Sequence, residues 1–497
     1  MNAKVSDSMQ MIYDAIVVGS GAGGAVATYR LVRAGMRVLL VDKGEVLPTD
    51  GRTLDVQRVV HDGEFKSKEA WEDGQRRRFC PEEYFNVGGK TKWYGAALAR
   101  FSPDEFQADS ARQFLGWPIT SADLAPYYAQ VEELLGVRHF ECEPDLTSIL
   151  RDLHATGRGW IDTPLPLGLR EEIHQHPNEA MHFDGFASVL GMKADAERTF
   201  LDAVRGANNL SVITGKAVVS LVADAEHRDH VTGVQLSDGS VYRANTVLLG
   251  AGAMHTPRLV QRYLQANGLQ SLPLANVVGR NFKLHLLTAV LAVSMGVKHD
   301  QLRKTRLLTN TNVPHSSVQP LGFDGELLAT LIPSYAPRAL AKLIGQRAYG
   351  FFLQTEDGSS VENQVIDGSG GKLPRLDYDA GRAPMALAEH RRLVSSFRRA
   401  MFSAGYINFA QRIGLQGTAH ACGTMAAGRD VRFAAVDDAG RVHGLEGLMV
   451  VDGSVLPRSS RVNPALTIYA FSLRAAEHLA VRWEQRSPTA ATRGATS

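Results

Sequence analysis

The stretch from Ala15 to Asp42 restricts the possible folds more than any other part of this 497-residue chain. An apolar run, Ala15-Ile16-Val17-Val18, leads into Gly19-Ser20-Gly21-Ala22-Gly23-Gly24. Apolar residues then recur at helical spacing from Ala25 to Val32, and after Gly35 a second apolar run, Val38 to Val41, ends at Asp42. This reads as strand, glycine turn, helix, strand. Gly19, Gly21 and Gly24 have the GxGxxG spacing, in which the first glycine allows a tight turn, the second lets backbone approach a pyrophosphate, and the third lets helix pack on strand. Phosphates then meet a helix N-terminus, where unpaired N–H groups and the helix dipole favour an anion. Asp42 is placed to accept the ribose hydroxyls of an adenosine lacking a 2′-phosphate. The motif leaves NAD and FAD both open, because they share the ADP half.

Composition narrows the class. With 44% hydrophobic and 21% charged residues the chain has the balance of a soluble globular protein. Lys and Arg number 54 against 52 Asp and Glu, and no long basic run with interleaved aromatics occurs, so no nucleic-acid partner is expected. Met1 to Met11 is polar and no run reaches the ~18 apolar residues of a membrane span, which predicts a cytoplasmic protein. Cys80, Cys142 and Cys422 are too few and too scattered for a disulfide framework or a CxxC metal pair, and no metal site is expected.

Further along, Val87-Gly88-Gly89 forms a second glycine turn. Phe101 to Val137 reads as helical, with Ser121 and Asp123 as caps. Leu210 to Val219 and Val231 to Leu236 read as strands around an Asp238-Gly239 turn, followed by the apolar run Thr246 to Gly250. Mixed strand-like pieces run from Val290 to Leu376, a helix covers Ala386 to Ala404, and Leu448 to Val451 precedes a last helix from Pro464 to about Trp483.

Near the C-terminus stand Gly417-Thr418-Ala419-His420-Ala421-Cys422-Gly423-Thr424-Met425, Val450-Val451-Asp452-Gly453-Ser454 and Asn463-Pro464-Ala465-Leu466-Thr467. With Val87-Gly88-Gly89, Trp117-Pro118-Ile119, Gly250-Ala251-Gly252-Ala253 through Thr256-Pro257-Arg258-Leu259, and Val278-Gly279-Arg280-Asn281 followed by His285, this series resembles the glucose-methanol-choline (GMC) oxidoreductases, FAD enzymes that oxidise alcohols and sugars. The likeness is to bacterial members with a His/Asn active-site pair. It implies an α/β fold (α+β overall) with a Rossmann-like FAD-binding domain at 10–110, 185–290 and 413–485. A discontinuous substrate-binding cap built on an antiparallel sheet is expected at 111–184 and 291–412, and a disordered tail at 487–497.

The resemblance implies His420 as general base and Asn463 as its partner. Hydride transfer from an alcohol carbon to flavin N5 requires loss of the hydroxyl proton, which a base titrating near neutrality accelerates by ~10²–10⁴, while an amide can hold the substrate oxygen. Asn463 before Pro464 also fits an N-cap with Pro at the first helical position, and both readings stay open. The expected FAD contacts are Gly19, Gly21, Ala22, Gly24, Asp42, Lys43, Gly88, Gly89, Val218, Ala251, Gly252, Asp452, Gly453, Pro464 and Ala465. Three departures stand out. Trp93 occupies the place of the histidine that bonds flavin covalently in some members, so dissociable FAD is expected. Gln261-Arg262-Tyr263 replaces a usual Ser-Gly. Lys90 and Lys92 are an unusual pair that either tunes the flavin, steers an anionic substrate or is solvated. The implied function is oxidation of a CH–OH group of an alcohol, sugar or aminocyclitol, with O2 or a quinone or other carrier as electron acceptor. Alternatives are a hydroxynitrile-lyase-like enzyme with redox-silent FAD, or a nicotinamide-dependent dehydrogenase.

Overall fold

The computed structural model of the chain describes residues 12–330, 337–368, 371–417 and 419–486; the expected tail at 487–497 lies outside them. Strand Ile12–Val18, almost wholly buried, pairs in parallel with Val38–Val41 on one side and Val241–Leu249 on the other, Val17 lying opposite Leu40 and Leu248. Leu210–Ile213 adds beyond Val38–Val41. The nine-residue strand Val241–Leu249 then forks: its C-terminal half takes Leu448–Val450 in parallel, and its N-terminal half pairs antiparallel with Val231–Leu236, which carries Val218–Ala223. These seven strands form one sheet. The single strand expected from Leu210 to Val219 is therefore two, because the chain turns at Gly215 with φ +70°. The Asp238-Gly239 turn joins Val231–Leu236 to Val241–Leu249.

Helix Ala22–Arg33 packs between this sheet and helix Ala465–Arg486, so the first and last helices of the described residues touch. Ser472 donates to the Gly23 carbonyl at 2.6 Å, and Arg30 forms a two-pronged ion pair with Glu477. A Cβ on Gly23 would run into the Val451 carbonyl, and one on Gly24 into the Gly19 carbonyl. Gly24 thus permits helix-on-strand packing, and Gly23 admits the C-terminal strand. Helix Ser121–Leu134 is capped by Thr120 rather than by Ser121: the Thr120 hydroxyl accepts from the Asp123 N–H (3.3 Å) and Asp123 accepts from the Thr120 N–H (2.8 Å), a capping box. Tyr128 hydrogen-bonds Thr467 at 2.7 Å, and Leu124 and Val131 join the core of the nucleotide-binding unit. This helix, expected in the cap, packs with the other unit.

The cap is built on a six-stranded antiparallel sheet in the order Ile407–Arg412, His285–Val293, Ala348–Glu356, Ser316–Pro320, Arg306–Asn310, Trp160–Pro164. The expected boundary at 290 falls inside the strand His285–Val293, which belongs entirely to this sheet. Alternation along Ala348–Glu356 sets the two faces: Phe351 and Leu353 pack under helix Pro384–Ser403 against Leu393 and Phe397, while Phe352 and Gln354 face a cavity. The stretch from Phe351 to Val365 divides between this sheet and a small four-stranded one that contains Gln364–Ile366. Gln261 explains its own departure: its amide donates to the Val365 carbonyl (2.9 Å) and accepts from the Asp367 N–H (2.8 Å), while Arg258 and Arg262 both pair with Asp367.

Gly23→Ala is expected to cost about 1–3 kcal/mol, because the added methyl meets backbone that cannot swing away. Thermal unfolding checks this; an unchanged melting temperature would show that the helix can shift to make room.

Candidate active site

A cavity of about 1000 Å³ runs from the N-terminal glycine turn to the cap sheet. That is at the upper end of the ~300–1,000 Å³ typical of ligand pockets, sufficient for an extended ligand. Its dinucleotide-side wall is made by Gly19, Gly21, Ala22, Asp42, Lys43, Gly89 and Val218, together with Ala251, Gly252, Asp452, Gly453, Pro464 and Ala465; His420 and Asn463 stand on it as well. Two expected contacts lie behind the wall. Gly24 packs against Gly19, and Gly88, at φ +84°, donates its N–H to Ser20 Oγ at 2.9 Å. By contrast, a Cβ on Gly21 would meet no protein atom within 4 Å, so its α-carbon faces open space, as close approach of a pyrophosphate requires. This fits the ADP half of FAD.

Two buried carboxylates hold the turns around that space. Asp42 Oδ2 accepts from the Ser20 N–H (2.8 Å) and hydroxyl, and Oδ1 accepts from the Gly44 N–H (2.8 Å). Of the roughly four acceptor positions of a carboxylate, this leaves about one for a ribose hydroxyl instead of two. Asp452 is filled: Oδ2 accepts from the Gly252 N–H (2.8 Å) and the Thr256 hydroxyl, and Oδ1 from the Ser454 N–H (2.8 Å) and hydroxyl. Asp452 therefore shapes the wall by tying two turns together, and offers no acceptor to a ligand. Burial pushes both carboxyls above the usual carboxylate range, and the N–H and O–H donors oppose that rise. Ser20, which bridges Asp42 to Gly88, went unread in the sequence because a serine inside GxGxxG carries no signal of its own.

His420 stands on the same wall between two polar partners. Its Nδ1 lies 2.7 Å from His285 Nδ1, and its Nε2 lies 3.3 Å from the Asn463 amide nitrogen. Proton positions follow from the partners. His285 Nε2 is 2.9 Å from two carbonyl oxygens, of Ser459 and Ser460, so that nitrogen must carry the proton. Neutral His285 then has only a lone pair on Nδ1, so His420 must donate there from its own Nδ1, which leaves Nε2 of His420 unprotonated on the cavity side. Burial pushes the His285 imidazole down to about 4. His420 is held well below its ordinary value by burial first, with the positive charges of Lys304 and Lys90 adding to the effect. Burial and these cations both favour the neutral imidazole at His420.

Asn463 resolves its two readings by its partners. The Oδ1 atom accepts from Gln319 Nε2 at 2.6 Å, which turns Nδ2 toward His420, while the first turn of the last helix is engaged through Pro464, whose carbonyl accepts from Ile468. Pro464 and Ala465 put the N-terminus of that 22-residue helix on the wall, where its dipole favours negative charge. The lysine pair separates. Lys92 is buried and pairs with Asp195 (3.0 Å) and Glu197 (2.7 Å), whereas Lys90 lines the cavity 3.5 Å from Glu83. Burial alone would raise the Glu83 carboxyl, but His255 and Lys90 outweigh it and hold it down to about 2. Trp93 lines the cavity, donates to Asn86 Oδ1 (2.9 Å) and stacks on Tyr84. Lys43, also expected at a cofactor, pairs with Glu69 over the ring of Phe85.

A twisted, mostly parallel sheet with a nucleotide cradle, and an antiparallel cap closing a cavity over a His/Asn pair, define a two-domain dinucleotide-binding oxidoreductase. The chain belongs to the GMC oxidoreductase family: profiles of its N- and C-terminal parts match residues 13–287 and 380–472, which makes this an FAD-dependent oxidoreductase acting on CH–OH donors. It is 29% identical to the 6'''-hydroxyparomomycin C oxidase of Streptomyces lividus (94% of this chain, 91% of that one) and 26% identical to the paromamine 6'-oxidase of Streptomyces fradiae (94% and 91%). It is also 23% identical to the 2-methyl-1,2-propanediol dehydrogenase of Mycolicibacterium austroafricanum (95% of each). The fold is shared with pyridoxine 4-oxidase from Mesorbium loti (TM-score 0.66, 18% identity, 94% of this chain and 99% of that one) and with an R554A variant of Aspergillus oryzae formate oxidase (0.73, 15%, 97% and 100%). No helix among the described residues is long and apolar enough to cross a membrane.

His285→Ala is expected to slow anaerobic flavin reduction by alcohol at least tenfold, since it frees His420 to take either tautomer. Stopped-flow reduction at pH 7 checks this; an unchanged rate would remove His285 from the site.

Proposed function

We propose that this enzyme oxidises a hydroxyl group on a sugar or aminocyclitol ring, with His420 as general base, Asn463 as the second contact to the reacting oxygen, and dissociable FAD. The observation that carries the reading is the hydrogen-bond chain that leaves Nε2 of His420 without a proton, 3.3 Å from the Asn463 amide nitrogen on the cavity wall. A hydroxyl placed between them gives its proton to Nε2 while Asn463 donates to the oxygen on which charge develops. The Nδ1 proton of His420 already points at His285, whose own N–H rests against two carbonyls, so positive charge gained at His420 is shared along the chain His420–His285–Ser459/Ser460. FAD, when bound, supplies the two-electron acceptor. Its ADP half is assigned to the Gly19–Gly24 turn and Asp42, and its other half to Gly89, Ala251, Gly252, Gly453 and the helix N-terminus at Pro464 and Ala465. Non-covalent binding is supported by Trp93, whose ring offers no nucleophilic nitrogen where a covalent histidine would stand.

The ring-polyol substrate is supported by the two Streptomyces relatives, named for paromamine-type compounds, and by a polar chamber containing Gln319, Gln354, Asp184 and Lys304. O2 is the proposed acceptor, in line with the names of those oxidases. Anaerobic mixing with paromamine and a panel of alcohols is expected to bleach the flavin, and air to restore it. Slow recovery in air would favour another carrier, and bleaching by no alcohol would favour lyase chemistry. His420→Ala is expected to keep the yellow colour and lose ~10²–10⁴ of the reduction rate. Acid precipitation should release all flavin to the supernatant; a yellow pellet would contradict dissociable FAD.

A further inference from the structure

Two residues of the polar chamber, Asp184 and Lys304, have no assigned contact in the reading above. Lys304 Nζ donates to Asp184 Oδ2 at 2.8 Å, with the two side chains 4% and 10% exposed, and both residues line the cavity. Asp184 also accepts from the Gly322 N–H (3.3 Å), three residues beyond Gln319, whose amide donates to Asn463 (2.6 Å), which ties the pair to the His420/Asn463 end of the cavity.

Space is reserved for this pair. A Cβ on Gly95 would collide with Asp184 Oδ1 and Lys304 Nζ, and one on Gly322 would press on Asp184 Cβ and the Phe183 ring. Neither glycine has a positive φ, so room is what glycine supplies at both positions. The loop bearing Asp184 is pinned in turn by buried Lys193, whose ammonium donates to the carbonyls of Tyr94 (2.8 Å), Phe183 (2.6 Å) and Phe186 (2.5 Å), fixing it to the segment that carries Gly95. A buried ion pair is poor at stabilising a fold unless its remaining donors and acceptors also find partners. Here they do not. Asp184 Oδ2 takes Lys304 and the Gly322 N–H (3.3 Å), whereas Oδ1 accepts no hydrogen bond from any described residue, and Lys304 spends only one of three N–H groups.

We propose that Asp184 and Lys304 are the substrate-specificity residues, Asp184 Oδ1 accepting from an amino or hydroxyl group and Lys304 donating to a neighbouring ring hydroxyl. A fixed acceptor beside a fixed donor matches adjacent polar substituents on a sugar or aminocyclitol ring and finds nothing on a plain aliphatic alcohol, which leaves both ends unpaired. This rests on the alcohol-oxidation reading of the same site.

The test compares wild type with Asp184→Asn/Lys304→Met, using paromamine and 1-butanol. The ratio of kcat/KM for paromamine over 1-butanol is expected to fall at least ~100-fold in the double variant, mostly through KM. Paromamine titrated into His420→Ala protein, followed by flavin absorbance, should show a matching rise in Kd when the double change is added. Lys304→Met alone should move the acid limb of the 1-butanol pH profile upward, since a cation near His420 is lost. Equal losses on both alcohols, or an unchanged ratio and Kd, would overturn the inference. If the double variant loses FAD, Asp184→Glu and Lys304→Arg keep the charges and displace the heads, and the same fall in ratio is expected of them. A wild type reduced by 1-butanol but by no ring polyol overturns this inference alone, and one reduced by neither overturns the reading beneath it.

Discussion

Two neutral imidazoles 2.7 Å apart have one proton to share, and in this protein the rest of the site is arranged around that fact. His285 opens the second strand of the cap sheet, beside its edge strand Ile407–Arg412, His420 comes from the segment leading into the C-terminal strand, and Ser459 and Ser460 follow that strand. The contact is thus made where the two sheets meet. Because two carbonyls claim the Nε2 proton of His285, the shared proton must belong to His420, and its other nitrogen faces the cavity bare. Burial keeps both rings neutral. Protons bound only in the unfolded state make the neutral pair a source of stability that is complete above about pH 6.5 and drains as pH falls toward 4.

The packing that permits this begins at the chain ends. Glycine at position 23 lets the first helix reach the Val451 carbonyl, and Asp452, the next residue, spends all its acceptors on Ser454, Gly252 and Thr256. A buried carboxylate so fully bonded avoids the penalty of an unpaired charge. It sets the Gly252 and Gly453 backbone on the cavity wall. Asp42 does the same for the N-terminal turn, with about one acceptor position left over.

The parts of this arrangement that are local in sequence were legible there. A glycine turn between two apolar runs announces its fold, and His420 and Asn463 stand in short segments with recognisable neighbours. What escaped reading is non-local. The orientation of Asn463 is fixed by Gln319, 144 residues away, so a cap and a substrate contact looked alike in sequence. Asp184, Lys304 and Gln319 come from stretches without clear periodicity and meet only because the cap folds over the cavity. Leu210 to Val219 was read as one strand since its apolar residues continue past the turn at Gly215. The boundary near 290 was misplaced because His285–Val293, continuous in sequence with the nucleotide-binding unit, pairs only with cap strands.

The central claim, that His285 fixes the tautomer of His420, is tested most directly by nitrogen NMR of protein carrying ¹⁵N-labelled histidine at pH 7, with His420→Ala and His285→Ala spectra assigning the signals. The expected result is a protonated Nδ1 and a bare Nε2 on His420, with the reverse on His285. A protonated Nε2 on His420, or an imidazolium at either position, would contradict it.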